Sequence, residues 1–410
     1  MYSILRKKND GLKPHVLEFA RQLVAVPSPS FHEEQVAELV EAKMREIGYD
    51  KVFRDDTGNV VGVLFGREAS PTTLLNCHMD TAIAAKSPGA AATAPDPDRA
   101  GWICGPGAAD CKGGLAAQIF AGALLKRSLL PLSGNLVVAA TVAEEHGRSA
   151  GVRALLAHTL PELGLHPTHA ILGEPTDLGL YYGHDGWMEF NITVKGPNPF
   201  QVNDAVSAIF NDLKSYEGSP SGDSAQDVQK TLVQWPRFHD DEDGRSAIIG
   251  MARRLTVDES PANIVSSINH QARLAAHPGS AVAVDVMIAE EIRQLYTGRP
   301  TTVSHVTNAW STDPFHPLIS RARQALAAAD CAVRPGRWRL GRLGMATAGS
   351  VLTREFNVPV IGYGPGSEAM AHVTDERVEE SRITEAVYGT ASIVHTLVGI
   401  PVCGWTSDEI

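Results

Sequence analysis

Residues 135–142 constrain the fold more than any other stretch. NLVVAATV is apolar and rich in β-branched side chains, as a strand covered on both faces must be. Upstream, residues 112–127 are rich in Ala and Leu and open on Gly113-Gly114, a helical pattern. The same alternation runs through the first half of the chain. Residues 13–26 and 31–47 carry apolar side chains at helical spacing, among them Val36, Leu39, Val40, Met44 and Ile47. Residues 60–65, 72–77 and 170–172 are short strand-like runs. Strands alternating with helices predict an open α/β sheet. Residues 84–101, rich in Ala, Pro and Gly and without periodicity, predict a long surface loop.

The character changes near Gly186. Residues 187–195 alternate apolar and polar, with Met188, Phe190, Ile192 and Val194 on one side, the mark of a half-exposed strand. A helix is expected over 204–216, a polar stretch over 217–244, strands over 247–257 and 268–276, a helix over 282–296 and a strand over 301–309. That order is β-α-β-β-α-β, the split βαβ motif. A compact unit at 186–310 is therefore expected, inserted into a larger α/β domain made of 1–185 and 311–410. In the last segment, 316–329 predicts a helix, 358–363 a buried strand and 383–398 a closing helix.

Charge narrows the partners. Among 410 residues, 36 Lys and Arg stand against 47 Asp and Glu, a net charge of −11, and the longest basic cluster is Arg6-Lys7-Lys8. Such a chain is poorly built to grip phosphate backbones, so no nucleic-acid partner is expected. The apolar segment 115–125 includes Gln118 and spans about half of the ~20 residues a bilayer requires, so no membrane association is expected. The first twenty residues lack the apolar stretch of a secretory leader, and the 5 cysteines show no CxxC spacing. A disulfide framework and a cysteine zinc site are both disfavoured, and a cytoplasmic location is expected.

Acids and histidines fall where the strands should end. His78 and Asp80 follow LLNC, two residues apart, so their side chains point the same way on an extended chain. Asp110 sits in the glycine-rich turn GPGAADCKGG. Glu144 and Glu145 follow LVVAATVA, Glu174 follows AILG, and His372 follows GYGPG. Ligands of open α/β sheets bind beyond the carboxyl ends of the strands. Taken singly, each residue is an ordinary loop carboxylate or packed histidine. Gathered together, the carboxylates would repel one another and raise each other's pKa, and divalent cations relieve this. Imidazoles with carboxylates suit zinc.

The segments LLNCHMDTA, GPGAADCKGGLAA, TVAEEHG, ILGEPT and GPGSEAMAHVTDE closely resemble, in order, the blocks of the M20 metallopeptidase family. That family includes acetylornithine deacetylase, succinyl-diaminopimelate desuccinylase, aminoacylase-1 and glutamate carboxypeptidase. The resemblance implies a zinc-peptidase-like α/β catalytic domain with an inserted ferredoxin-like lid that also forms a homodimer. It implies two divalent ions, zinc foremost with cobalt able to substitute, bridged by Asp110. His78 and Glu174 would complete one ion's ligands, and Glu145 and His372 the other's. Asp80 would hold the imidazole of His78, and Glu144 would be the general base. The Asp110–Cys111 peptide is expected to be cis. Cys111 itself is expected only to fill a small position before the helix. The implied activity is hydrolysis of the amide bond of an N-acyl amino acid or a related small amide.

Departures from the family pattern fall mostly in the lid. Phe200, in KGPNPFQ, stands where a lid histidine that polarises the scissile carbonyl is usual. Ala275 or Ala276, in RLAAHPG, is aligned with the lid arginine that binds the substrate carboxylate, whereas Asn263 is kept. Gly105-Pro106-Gly107 replaces a GRG triplet, and Ala346-Thr347-Ala348-Gly349 lacks the acid of its block. His184, His270, His277 and His305 are candidate replacements for the histidine, each weighed against being a surface or packed residue. The alternative function is a metal-binding family member with altered or lost hydrolysis that binds or remodels a small-molecule amide in a biosynthetic pathway.

Overall fold

The computed structural model describes residues 1–82, 100–215, 231–242, 244–276, 281–332, 334–335 and 342–400. Most of the expected loop 84–101, much of the polar stretch 217–244 and His277 lie outside the described residues. The chain forms two units. One comprises Met1–His184, Arg293–Thr301 and Ser311–Ile410; the other comprises Asp185–Ile292 and Thr302–Trp310.

The first unit is built on a mixed sheet in the order Lys51–Arg54, Val60–Leu64, Asn135–Thr141, Thr72–His78, His169–Leu172, Val360–Gly362. The first two strands are antiparallel to their neighbours and the last four are mutually parallel. All residues of Thr72–His78 and Asn135–Thr141 are buried, as parallel strands covered on both faces should be. One layer over the sheet is the helix Gly113–Arg127, buried from Gly113 through Leu125. Helices Tyr2–Ala25 and Glu380–Val398 pack against it and against each other. Each fully buried Leu or Val there contributes about 1.5–3 kcal/mol, and Leu75→Ala in the central strand would cost about 2–5 kcal/mol. Glu34–Ile47 buries Val36, Ala37, Val40 and Met44, one helical stripe, and stops at Gly48, whose φ of 85° is left-handed.

The second unit centres on an antiparallel sheet, Leu232–Val233, Gly244–Leu255, Gly186–Gly196, Ala283–Ile288, with Arg237–Asp241 also pairing to Gly244–Leu255. Phe190 lies opposite Met251, Ile192 opposite Ile249 and Val194 opposite Ala247, which brings one face of both strands into register. Helices Pro199–Lys214 and Pro261–Ala275 cover that face with Val206, Ile209, Ile264 and Ile268.

Two expected elements are corrected. Residues 268–276 belong to the helix Pro261–Ala275, because Ile264, Ile268 and Ala272 recur every fourth position and Pro261 fits a helix's first turn. Residues 282–296 contain the strands Ala283–Ile288 and Glu290–Gln294, because Val284 and Val286 alternate with the exposed Ala283, Asp285 and Met287. The order differs from β-α-β-β-α-β by one short strand, since Leu232–Val233, Arg237–Asp241 and Gly244–Leu255 all lie between the two helices.

Candidate metal centre

Parallel pairing explains why distant residues meet. His78 lies opposite Thr141, Asn76 opposite Leu172, and Leu172 opposite Gly362. The segments leaving these strands therefore carry Asp80, Glu144 and Glu145, Glu174 and His372 away from one edge of the sheet. Asp110 joins from the turn that opens Gly113–Arg127. That helix comes close because Gly114 has no Cβ: one built there would sit 1.9 Å from the carbonyl oxygen of Gly173.

The orientation of each group follows from its hydrogen bonds. His78 Nδ1 donates to the backbone carbonyl of Asp80 at 2.8 Å, which leaves Nε2 facing Asp110 Oδ1 at 3.2 Å. The Asp80 carboxylate has another task. It accepts from the backbone N–H of Glu144 at 3.1 Å, that of Glu145 at 3.0 Å and Ser30 Oγ at 2.6 Å, while its Oδ1 lies 3.5 Å from His78 Nδ1. Asp80 thus fixes the glutamate pair by the main chain and the imidazole chiefly by its own carbonyl. Ala143, at φ 51°, makes the bend before the pair, and its N–H is held by Glu33 Oε1 at 2.9 Å.

A second buried acid organises the other wall. Glu376 accepts the N–H groups of Gly107, Ala109 and Asp110 at 2.8, 2.9 and 2.9 Å, clamping the turn that presents Asp110. The Asp110–Cys111 peptide is cis. His372, at φ 59°, brings Nε2 to 3.0 Å from Asp110 Oδ2 and 2.9 Å from Glu145 Oε1. Donor atoms of His78, Glu144 and Glu145 lie within 4.8 Å of one another, as do those of Asp110, Glu145 and His372, and those of His78, Asp110 and Cys111. Glu174 is buried close enough to feel the charges of Asp110, His78 and Glu144, but it joins none of these groups.

Burial and crowding pull the titrations apart. Burial pushes Glu144 up to about 8, with Glu145, Asp80 and Asp110 adding to the rise and His78 opposing it. Burial likewise raises Glu145 and raises Glu174 well above the carboxylate range. For Asp110 burial acts upward too, but the His372 and His78 rings outweigh it and hold the acid below its usual range. His372, beside Asp110 and Glu145, is pushed up to about 11. Such a cluster keeps protons because it carries more negative groups than a buried place tolerates, and divalent cations would take the protons' place. Asp110 Oδ2 is buried with His372 Nε2 close by but no donor in hydrogen-bonding geometry, as a ligand atom of a bridging acid would be.

Several site residues escaped sequence reasoning. Ser30, Glu33, Lys112 and Glu376 act through contacts spanning up to 269 positions. Glu376 and Lys112 lie in the blocks GPGSEAMAHVTDE and GPGAADCKGGLAA, but nothing local marks their roles. Lys112 is buried with Nζ on the carbonyl of Val26 at 2.7 Å, and burial lowers it to about 7. The candidate replacement histidines are accounted for differently. His184 is buried, with Nε2 accepting from the backbone N–H of Thr347 at 2.9 Å. His270 is exposed on its helix, and His305 lies 3.3 Å from Glu189 and 3.4 Å from Glu291. Ala275 and Ala276 end a helix and pack on the second unit's core, so the missing arginine cannot be read from those positions. Arginines do occur on the strand Gly244–Leu255, where Arg253 pairs with Glu259 at 2.6 Å.

A pair of histidines among buried acids beyond the carboxyl ends of parallel strands is a donor set that could hold metal ions. The model of peptidase family M20/M25/M40 matches residues 74–396, and the chain belongs to that family. It is 24% identical over 96% of both chains to an uncharacterized protein, YgeY, of Escherichia coli (strain K12). It is 27% identical to the [LysW]-lysine hydrolase of Deinococcus radiodurans, covering 93% of this chain and 97% of that one. Its fold is similar to that of YXEP from Bacillus subtilis, a dinuclear metal binding peptidase of the M20 family, at a TM-score of 0.68 and 14% identity over 94% and 98% of the two chains. The protein is therefore a member of an amide and peptide hydrolase family with a mixed α/β fold. Among the described residues no helix is long and apolar enough to cross a membrane.

Proposed function

We propose that this protein is a dinuclear-zinc amidohydrolase that cleaves the amide bond of an N-acyl amino acid or a related small amide. The observation that carries the proposal is Asp110, with His78 on one oxygen and His372, shared with Glu145, on the other. His78 and Glu174 would hold one ion, Glu145 and His372 the second, and Asp110 both. Cobalt would substitute for zinc. Bound there, the ions would polarise the amide carbonyl and acidify the attacking water.

The chain's own residues do the rest. Glu144 takes the proton of the attacking water and returns it to the leaving nitrogen. It is placed for this by the Asp80 carboxylate on its N–H and by Ser149 Oγ, 3.3 Å from its Oε1. Burial makes it a stronger base than an exposed glutamate once its own proton is displaced. Asp80 is a positioning residue for both His78 and the glutamate pair.

The remaining expectations belong to this proposal. Residues 186–310 form an inserted lid through which the chain homodimerises, and 1–185 with 311–410 form the catalytic domain. The free Cys77, Cys104, Cys111 and Cys331 support a cytoplasmic setting. A second reading, a family member that binds or remodels an amide without hydrolysing it, draws on Phe200, which is 79% exposed where the family's lid histidine is usual. Zinc-loaded protein assayed on N-acyl amino acids, dipeptides and other small amides, with mass spectrometry of products, separates the two. Free acid and amine that appear with wild type and vanish with Glu144→Gln support hydrolysis. Tight binding with no product supports the second reading.

A further inference from the structure

We propose that the thiolate of Cys111 is an additional donor to the ion held by His78 and Asp110; this rests on the dinuclear reading above. Three donors, the Cys111 sulfur, a ring nitrogen of His78 and a carboxylate oxygen of Asp110, lie within 4.8 Å of one another, and all three residues are buried. The second oxygen of Asp110 is buried too, with His372 Nε2 3.0 Å away but outside hydrogen-bonding geometry, so the acid beside the sulfur keeps capacity to ligate. The sulfur is weakly engaged, lying 3.7 Å from the carbonyl of His78 with the Cys77 thiol beside it. If it served only to fill space, its direction would be indifferent. Instead it lies with the two groups proposed above as metal ligands.

The chemistry is balanced without a further reactant. The S–H bond of Cys111 breaks, a sulfur–metal bond forms and one proton leaves to solvent. A soft sulfur donor biases the site toward zinc, cobalt or cadmium over manganese or magnesium. Cys77, whose side chain neighbours the sulfur, is placed to hydrogen-bond the thiolate as an outer partner.

The test is cobalt titration of chelator-stripped protein, with bound metal counted by elemental analysis and the near-ultraviolet spectrum recorded. Wild type should develop an intense sulfur-to-cobalt charge-transfer band as ions bind. The band should be absent in Cys111→Ser and Cys111→Ala and retained in Cys77→Ser. The preference for zinc over manganese, measured by competition, should fall at least about tenfold in Cys111→Ser. Circular dichroism establishes that each variant is folded, and the wild-type spectrum decides the matter even where a variant is not. Two cobalt ions bound with no such band would overturn the role of Cys111 and leave the dinuclear centre standing. A band that persists in folded Cys111→Ser would also overturn it, and failure to bind cobalt at all would overturn both readings.

Discussion

The two six-stranded sheets among the described residues treat their polar residues in opposite ways. Along the sheet that contains Thr72–His78, the acids beyond the strand ends are buried and bound by main-chain donors: Asp80 by Glu144 and Glu145, Glu376 by the Gly107–Asp110 turn, Glu33 by Phe31 and Ala143. Along Gly186–Gly196 the face turned away from the helices carries Trp187, Glu189, Asn191 and Thr193 at intermediate exposure, with Lys195 exposed. Phe200 stands exposed one residue inside its helix. Groups that perform chemistry must be held in a single geometry, so burial and several hydrogen bonds are spent on each. In the proposed reading the metal ligands all lie in the first unit, and Phe200, the exposed departure from the family pattern, lies in the second.

That contrast breaks most readily at Glu144. Glu144→Gln should lower kcat on any hydrolysed amide by about 10²–10⁴ with bound metal unchanged, measured by steady-state kinetics beside elemental analysis. An equal rate in the two proteins would remove the base. Next in size, Asp110→Asn should reduce bound zinc from two ions per chain to one or none. It should also erase the rise in melting temperature that zinc gives wild type, a stabilisation of about 2.7 kcal/mol when zinc is present at 100 times its Kd.

A smaller effect concerns Glu33, which burial and the charge of Asp80 push up to about 7 from an ordinary 4.5. A carboxyl that binds its proton more tightly when folded stabilises the fold at low pH. That contribution is lost as pH rises from about 4.5 to about 7, by about 3 kcal/mol at most. Glu33→Gln should therefore flatten the decline of melting temperature between pH 5 and pH 8. An unchanged slope would place the titration elsewhere. Smallest, and on the other side of the comparison, Phe200→His should raise kcat on an N-acyl amino acid by up to about tenfold, a fraction of the 10²–10³ an oxyanion donor is worth elsewhere. No change would mean that this position no longer faces substrate chemistry.

What was legible in the sequence tracks how local each signal is. The buried strands and the acids following them could be read directly, because apolar runs and the residues ending them are contiguous in the chain. The second unit was read in nearly the right order but with displaced elements. Residues 268–276 contain too few apolar positions to choose between periods of two and 3.6 until Ile264 is included. The roles of Glu376 and Glu33 were silent because the partners that define them lie far away in sequence, Gly107 being 269 positions from Glu376 and Ala143 110 from Glu33. Asp80 was expected to grip His78 with its carboxylate. Residue spacing cannot tell that contact from one through the carbonyl, and the protein uses the carbonyl at 2.8 Å.

The most direct measurement is anomalous diffraction at the zinc absorption edge from crystals of zinc-loaded protein. Two peaks should appear about 3.5–4 Å apart, with Asp110 between them, His78 and Glu174 on one, and Glu145 and His372 on the other. A single peak, peaks bound by other residues, or none at full loading would contradict the assignment of this centre.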